Sequence, residues 1–190
     1  MTQRIPLIDE ATALELARDI GMLERQARRG AFRTLANNPA MVTPIYQLLT
    51  TLLTKNTLAL RLREMIVMRI GWRMKSEYQW FQHYQIATTQ AGFSDELLLA
   101  IRDWRNPLHA RHFQDADLAV LAAVDDTIDR GSISDAVWAE CTRNITEPSV
   151  QVEMVVAIGF WIMLAQFFHT FQVPLQDGAV PWQPDGKGPG

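Results

Sequence analysis

Two side chains in this 190-residue sequence have the types and surroundings for proton transfer, Glu64 and His83. Glu64 stands among Leu60, Leu62, Met65, Ile66, Val67, Met68 and Ile70, a run otherwise apolar on several sides. A carboxylate in such a setting is costly to bury unless it is paired or protonated. Further on, Gln79 and His83 lie four apart on one helical stripe, with Trp80, Ile86 and Ala87 nearby. If the two segments pack as an antiparallel helical pair, Glu64 and His83 face each other across the seam. A carboxylate bonded to an imidazole orients the ring and tunes its pKa, which makes a proton shuttle working near neutral pH. A plainer alternative stays open: Glu64 pairs with Arg61 or another arginine, and His83 is a satisfied core histidine.

Other candidates are weaker. His109 and His112 lie three apart beside Asn106-Pro107, with Arg111 between them and Asp115 following. Two imidazoles suit a metal if a carboxylate joins them, but no third ligand is placed and the segment reads as a solvated basic loop. His169 sits near the end of the last helical segment, where it suits the negative end of the dipole. Of six tryptophans, Trp80 lies one turn from His83 and could wall a pocket for a small ring-shaped substrate, and Trp161 could line one. Arg61, Arg63 or Arg73 could bind a substrate carboxylate or pair at the surface. Cys141 is the single cysteine and reads as a buried small hydrophobe, so no intrachain disulfide or CxxC motif exists. There is no Gly-rich phosphate loop, nucleophile elbow or HExxH.

The elements that must position these residues are helices. Apolar residues recur at three- and four-residue spacing, predicting helical segments over 8–28, 40–54, 58–72, 76–90, 94–104, 115–130, 134–144 and 148–171. Ser76-Glu77-Tyr78-Gln79 fits a capping box, Ser94 an N-cap, and Gly92 and Gly131 left-handed helix ends. Residues 1–175 read as one all-α domain and 176–190 as a Pro/Gly-rich tail that wraps the surface or is disordered. A weak echo of Glu64-Met65-Ile66-Val67 in Glu153-Met154-Val155-Val156 suggests a duplicated helical unit. Net charge is −3, with 48% hydrophobic and 21% charged residues, which argues against disorder and against a nucleic-acid partner. The longest apolar run, Met154 to Ala165, spans 12 residues, short for a bilayer, and the N-terminus lacks a signal-peptide apolar core. These features predict a soluble cytoplasmic protein that does not engage membranes.

Three stretches carry a family resemblance: Arg61-Leu62-Arg63-Glu64-Met65-Ile66-Val67-Met68-Arg69, Ser76-Glu77-Tyr78-Gln79-Trp80-Phe81-Gln82-His83, and Ala91-Gly92-Phe93-Ser94-Asp95-Glu96. Together they resemble the carboxymuconolactone decarboxylase family of the alkyl hydroperoxidase D-like superfamily. The resemblance extends from Phe32 through Pro39 upstream to Phe171-Gln172-Val173-Pro174-Leu175 downstream. It implies an all-α bundle built around a helical hairpin and a homo-oligomer, trimeric or hexameric. The superfamily's catalytic glutamate and histidine map onto Glu64 and His83, while its two cysteine positions hold Ser76 and Gln79. Without a thiol pair, thiol peroxidase activity is disfavoured. The implied function is a cofactor-independent lyase or isomerase acting by proton transfer on a small cyclic carbonyl or lactone acid. Ser76, Tyr78, Gln79, Trp80 and Trp161 are the substrate-binding candidates beside the Glu64–His83 pair. The alternative is a non-catalytic oligomeric ligand-binding or scaffold protein on the same fold.

Overall fold

The apolar periodicity becomes ten α-helices and one 3-10 helix, with no strand, among residues 3–190, which the computed structural model describes. The chain divides into two compact units, residues 1–56 with 167–179, and residues 57–166 with 180–190.

The first unit holds α1 (Glu10–Asp19), α2 (Glu24–Ala27), α3 (Gly30–Leu35) and α4 (Pro39–Thr54). The helix expected over 8–28 is broken, because α1 ends at Asp19 and Gly21 takes φ +67°, a conformation open to glycine at little cost. Asp9 caps α1 by accepting from the Thr12 backbone N–H at 2.9 Å. Its core is small, with Ala13, Ala17, Ala27, Phe32, Ala36 and Val42 buried together.

The second unit is organised around α5 (Leu60–Arg73), in which nine consecutive residues, Arg63 to Gly71, are buried. Burial on all sides requires neighbours on all sides. These include α6 (Glu77–Thr89), α7 (Asp95–Arg102) and α8 (Asp115–Arg130), with α9 (Asp135–Asn144) packed on α8. The α5–α6 turn is a Schellman closure: Ser76 N–H donates to the Gly71 carbonyl at 2.8 Å and Lys75 N–H to Trp72 at 3.2 Å. Lys75 occupies the left-handed position, φ 53°, where glycine is usual. A Cβ on Gly71 would stand 3.4 Å from the Trp80 backbone nitrogen, so the missing side chain lets the two helices approach closely. The expected capping box does not form. Ser76 makes no side-chain cap bond, and Gln79 instead donates its Nε2 to the Val67 carbonyl at 3.0 Å.

An Arg–Asp ladder joins α5 to α8. Arg61 binds Asp117, Arg69 binds Asp125 and Arg73 binds Asp129, each pair 56 residues apart. A constant offset means the two helices run parallel. The middle rung is fully buried: Arg69 Nε and Nη2 reach Asp125 at 2.8 and 2.9 Å, with Arg73, Arg105 and the Trp104 indole also on that carboxylate. Arg69 also donates to the Ile101 and Arg102 carbonyls, closing the C-terminal end of α7. Burial pushes the Asp125 carboxyl up, but the hydrogen bond and charge of Arg69, then Arg105 and Trp104, hold it below its ordinary value.

The last helix, α10 (Pro148–Phe171), covers the segment that the spacing predicts, and its 24 residues have the length and composition of a bilayer span. Seven of its residues are buried in the protein, including Met154, Ile158, Phe160 and Trp161. Val152, Val155, Val156 and Met163 form an exposed apolar stripe on it.

The C-terminal residues are docked on the second unit rather than loose. Trp182 packs 5.7 Å from Trp72 and 6.0 Å from Trp80 between ring centroids. Arg102 stacks over Trp72 and Trp80 and donates to the carbonyls of Trp182 and Gln183, both at 3.0 Å, and to Asp185. The Trp80 indole N–H donates to the Gln183 carbonyl at 2.7 Å.

Asp125→Ala leaves buried guanidinium charge uncompensated and is expected to cost about 3–5 kcal/mol in urea unfolding. Asp129→Ala, at the exposed end of the ladder, should cost less than about 1 kcal/mol. Equal costs would contradict the ladder as a source of stability.

Candidate functional site

The antiparallel hairpin brings three pairs into register: Gly71 with Trp80, Val67 with Gln79, and Glu64 with His83. Glu64 is fully buried in the second turn of α5, and His83, on the facing stripe of α6, is only 6% exposed. Their side chains meet at 2.8 Å between His83 Nδ1 and Glu64 Oε2. The other carboxylate oxygen, Oε1, accepts from Arg63 Nε at 2.9 Å. Glu64 therefore pairs with its chain neighbour Arg63 and with His83. Of the arginines open to Glu64 from sequence, Arg61 or another, Arg63 makes the pair and Arg61 is on Asp117.

Electrostatics set the protonation pattern. Burial pushes the Glu64 carboxyl up, but the charge and hydrogen bond of His83, followed by those of Arg63, outweigh it and hold the group below its ordinary value. An ionised carboxylate only accepts hydrogen bonds, so the His83 nitrogen facing it, Nδ1, carries the proton. In the neutral ring Nε2 is then the free base. After it takes up a proton, the same atom is the acid.

The imidazole has an aromatic neighbour. Trp161, from α10, meets it edge-on with ring centroids 4.7 Å apart and planes at 79°. Phe160 braces Trp161 at 5.5 Å. Ser76 and Gln79 fall on the His83 stripe of α6, three, four and seven residues apart in sequence. Ser76 Oγ, Gln79 Oε1 and Trp161 Nε1 are all buried with no hydrogen-bond partner in the protein. Tyr78 is also buried, but lies about 100° round the helix from Gln79. Trp80 is fully buried with its indole N–H given to the C-terminal segment, so its ring serves the Trp72–Trp182 cluster.

This helical arrangement is found in solved structures. The debrominase Bmp8 in complex with 2,3,4-tribromopyrrole superposes with TM-score 0.72 at 14% identity, over 93% of this chain and 94% of that one. An uncharacterized peroxidase-related protein with an alkylhydroperoxidase AhpD core, from Ralstonia eutropha JMP134, gives 0.71 at 17%, over 92% and 93%. A putative antioxidant defence protein AhpD from Agrobacterium tumefaciens gives 0.63 at 18%, over 74% and 94%. The chain has the alkylhydroperoxidase D-like fold. No protein-family model and no curated protein matches the sequence, so the likeness establishes the fold alone.

On this fold the two positions that the sequence resemblance assigns to a thiol pair hold Ser76 and Gln79, whose Oγ and Oε1 have no hydrogen-bond partner in the protein. The single cysteine, Cys141, is buried in α9 with its thiol on the Ala119 carbonyl. Burial, then Glu140 and Asp126, push that thiol up to about 11, so it stays protonated and unreactive at neutral pH. Among the described residues no three His, Cys, Asp or Glu side chains converge to hold a metal ion. His109 and His112 sit on the 3-10 helix Pro107–His112 with rings 6.3 Å apart, and no residue in that helix is buried.

Glu64→Gln removes the counter-charge from buried Arg63 and is expected to cost about 3 kcal/mol at pH 7, read by chemical unfolding. Because the folded carboxyl value is lowered, its contribution is full above the ordinary value of 4.5 and is lost as pH falls through the folded value. The gap between wild type and variant should therefore narrow below about pH 4.5. A gap unchanged down to pH 3 would contradict an ionised Glu64.

Proposed function

We propose that the protein is a cofactor-independent lyase or isomerase that transfers protons at carbon on a small cyclic carbonyl compound or lactone acid, with Glu64 and His83 as its catalytic pair. The observation that carries this reading is the 2.8 Å contact of His83 Nδ1 with a carboxylate that His83 and Arg63 hold ionised against its burial. That contact leaves Nε2 as the working atom. In isomerisation, Nε2 removes a proton from the carbon next to a carbonyl, the electron pair moves onto the carbonyl oxygen as an enolate, and the imidazolium returns the proton at another carbon. In decarboxylation, the carbon–carboxylate bond breaks, carbon dioxide leaves, and the electron pair is held as the enolate until protonated Nε2 delivers its proton to carbon. Glu64 stabilises the imidazolium in both cases and keeps the ring from rotating.

The buried Trp161 indole N–H beside the imidazole is suited to the enolate oxygen, where charge develops. Ser76 and Gln79 offer further polar contacts on the same stripe. Tyr78 and Trp80 act through packing, Trp80 by tying α6 to the docked C-terminal segment. The debrominase bound to a tribromopyrrole supports small-ring chemistry on this fold. Ring dehalogenation and decarboxylation share a need to protonate carbon.

The direct test incubates wild type and His83→Ala in deuterated buffer with a panel of cyclic ketones, lactone acids and β-keto acids, read by mass spectrometry. Wild type should incorporate deuterium at carbon or release carbon dioxide from a panel member, and the variant should lose about 100-fold or more of that rate. Equal traces from both proteins would replace catalysis by the reading of a ligand-binding protein.

A further inference from the structure

Three buried polar atoms, two on residues at helical spacing from His83 and one on the indole packed against its ring, define a ligand more narrowly than the proton-transfer reading does. Gln79 Nε2 is fixed on the Val67 carbonyl, which sets the orientation of the amide and leaves Oε1 as an acceptor with no donor. The Trp161 indole can only donate, and its N–H has no acceptor. Both residues are at least nine-tenths buried, 1% and 3% exposed. Ser76 Oγ, equally buried and unpartnered, can serve either role. Polar groups held this way penalise the free protein and favour any ligand that completes them.

Charge points in the same direction. The α5 arginines are committed to carboxylates: Arg61 to Asp117, Arg63 to Glu64, Arg69 to Asp125, and Arg73 to Asp125 and Asp129. Of the two roles open to Arg61, Arg63 and Arg73, binding a substrate carboxylate or ion pairing, these contacts favour ion pairing. Arg63 and Glu64 offset each other, so a ligand anion would meet no surplus guanidinium charge.

We infer that the site selects a neutral ring compound that presents a carbonyl-type acceptor to the Trp161 indole and an N–H or O–H donor to Gln79 Oε1, such as a lactam or a hydroxylated ring ketone, over a ring carboxylate. Gln79 and Trp161 are specificity-determining residues, one reading a donor and the other an acceptor. The inference rests on the proposal that the reacting ring lies against His83, and it narrows that proposal to the neutral cyclic carbonyl and away from the lactone acid. It does not require that turnover occur.

Titrations of protein labelled with 15N at the six tryptophan indoles give the test, with the Trp161 resonance assigned by its loss in Trp161→Phe. The probes are δ-valerolactam (donor and acceptor), cyclohexanone (acceptor only) and cyclopentanecarboxylate. The lactam should shift the Trp161 resonance saturably and bind about 10-fold tighter than the ketone, with the carboxylate weakest. Gln79→Leu should bring the lactam down to the affinity of the ketone, and the dispersed indole resonances of the free variant show that it is folded. Equal lactam and ketone affinities in wild type, tighter carboxylate binding, or no response of Trp161 to any probe would overturn the inference. A clear lactam preference without deuterium exchange would remove the catalytic proposal and leave this one standing. Exchange without the preference would do the reverse.

Discussion

A carboxylate buried out of reach of water is the constraint on which the rest of this structure depends. Glu64 lies in the buried stretch of α5, and an isolated charge there would not persist ionised. Arg63 and His83 supply the compensation, one oxygen each. Holding that triad in place demands a hairpin with the imidazole at a fixed register, which the Schellman turn at Lys75 and the close approach at Gly71 provide. It also demands that α5 be covered on every side. The cover comes at the cost of burying Arg69, which the Asp125 carboxylate and the α7 carbonyls answer.

Much of the scaffold was legible in the sequence because helices announce themselves locally. Three- and four-residue apolar spacing located the second-unit helices closely, and Gly92 and Gly131 take the left-handed conformations expected of them, φ +69° and +80°. Local reading erred where tertiary context overrides it. Ser76 and Gln79 have the types of a capping box, but the helix contact turns Gln79 onto Val67. The break between α5 and α6, by contrast, falls between 72 and 76 as the spacing predicts, although Lys75 rather than glycine takes the left-handed position there. The Arg–Asp ladder spans 56 residues, a separation that no periodicity within one helix reports.

The site divides in the same way. Glu64 and His83 were visible as a polar pair on two apolar helices, and the family resemblance supplied the expectation that they meet. The identity of the counter-ion was not visible, since Arg61 and Arg63 are equivalent by composition and only three-dimensional packing separates them. Nor was the role of Trp80, because its partner is the Pro/Gly-rich tail. In the sequence that tail reads as punctuation, whereas in the fold it stacks an indole between Trp72, Trp80 and Arg102. Trp161 was found as a candidate, and the structure adds that its ring touches the imidazole and its N–H is unspent.

The central claim is that an ionised Glu64 fixes the tautomer of His83 so that Nε2 is the working atom. The most direct measurement is the 15N NMR spectrum of His83 at a pH where its ring is neutral, in wild type and in Glu64→Gln. The account predicts a proton on Nδ1 and a free Nε2 in wild type, with the tautomer preference weakened in the variant. A wild-type ring protonated on Nε2, or an identical tautomer ratio in both proteins, would contradict it.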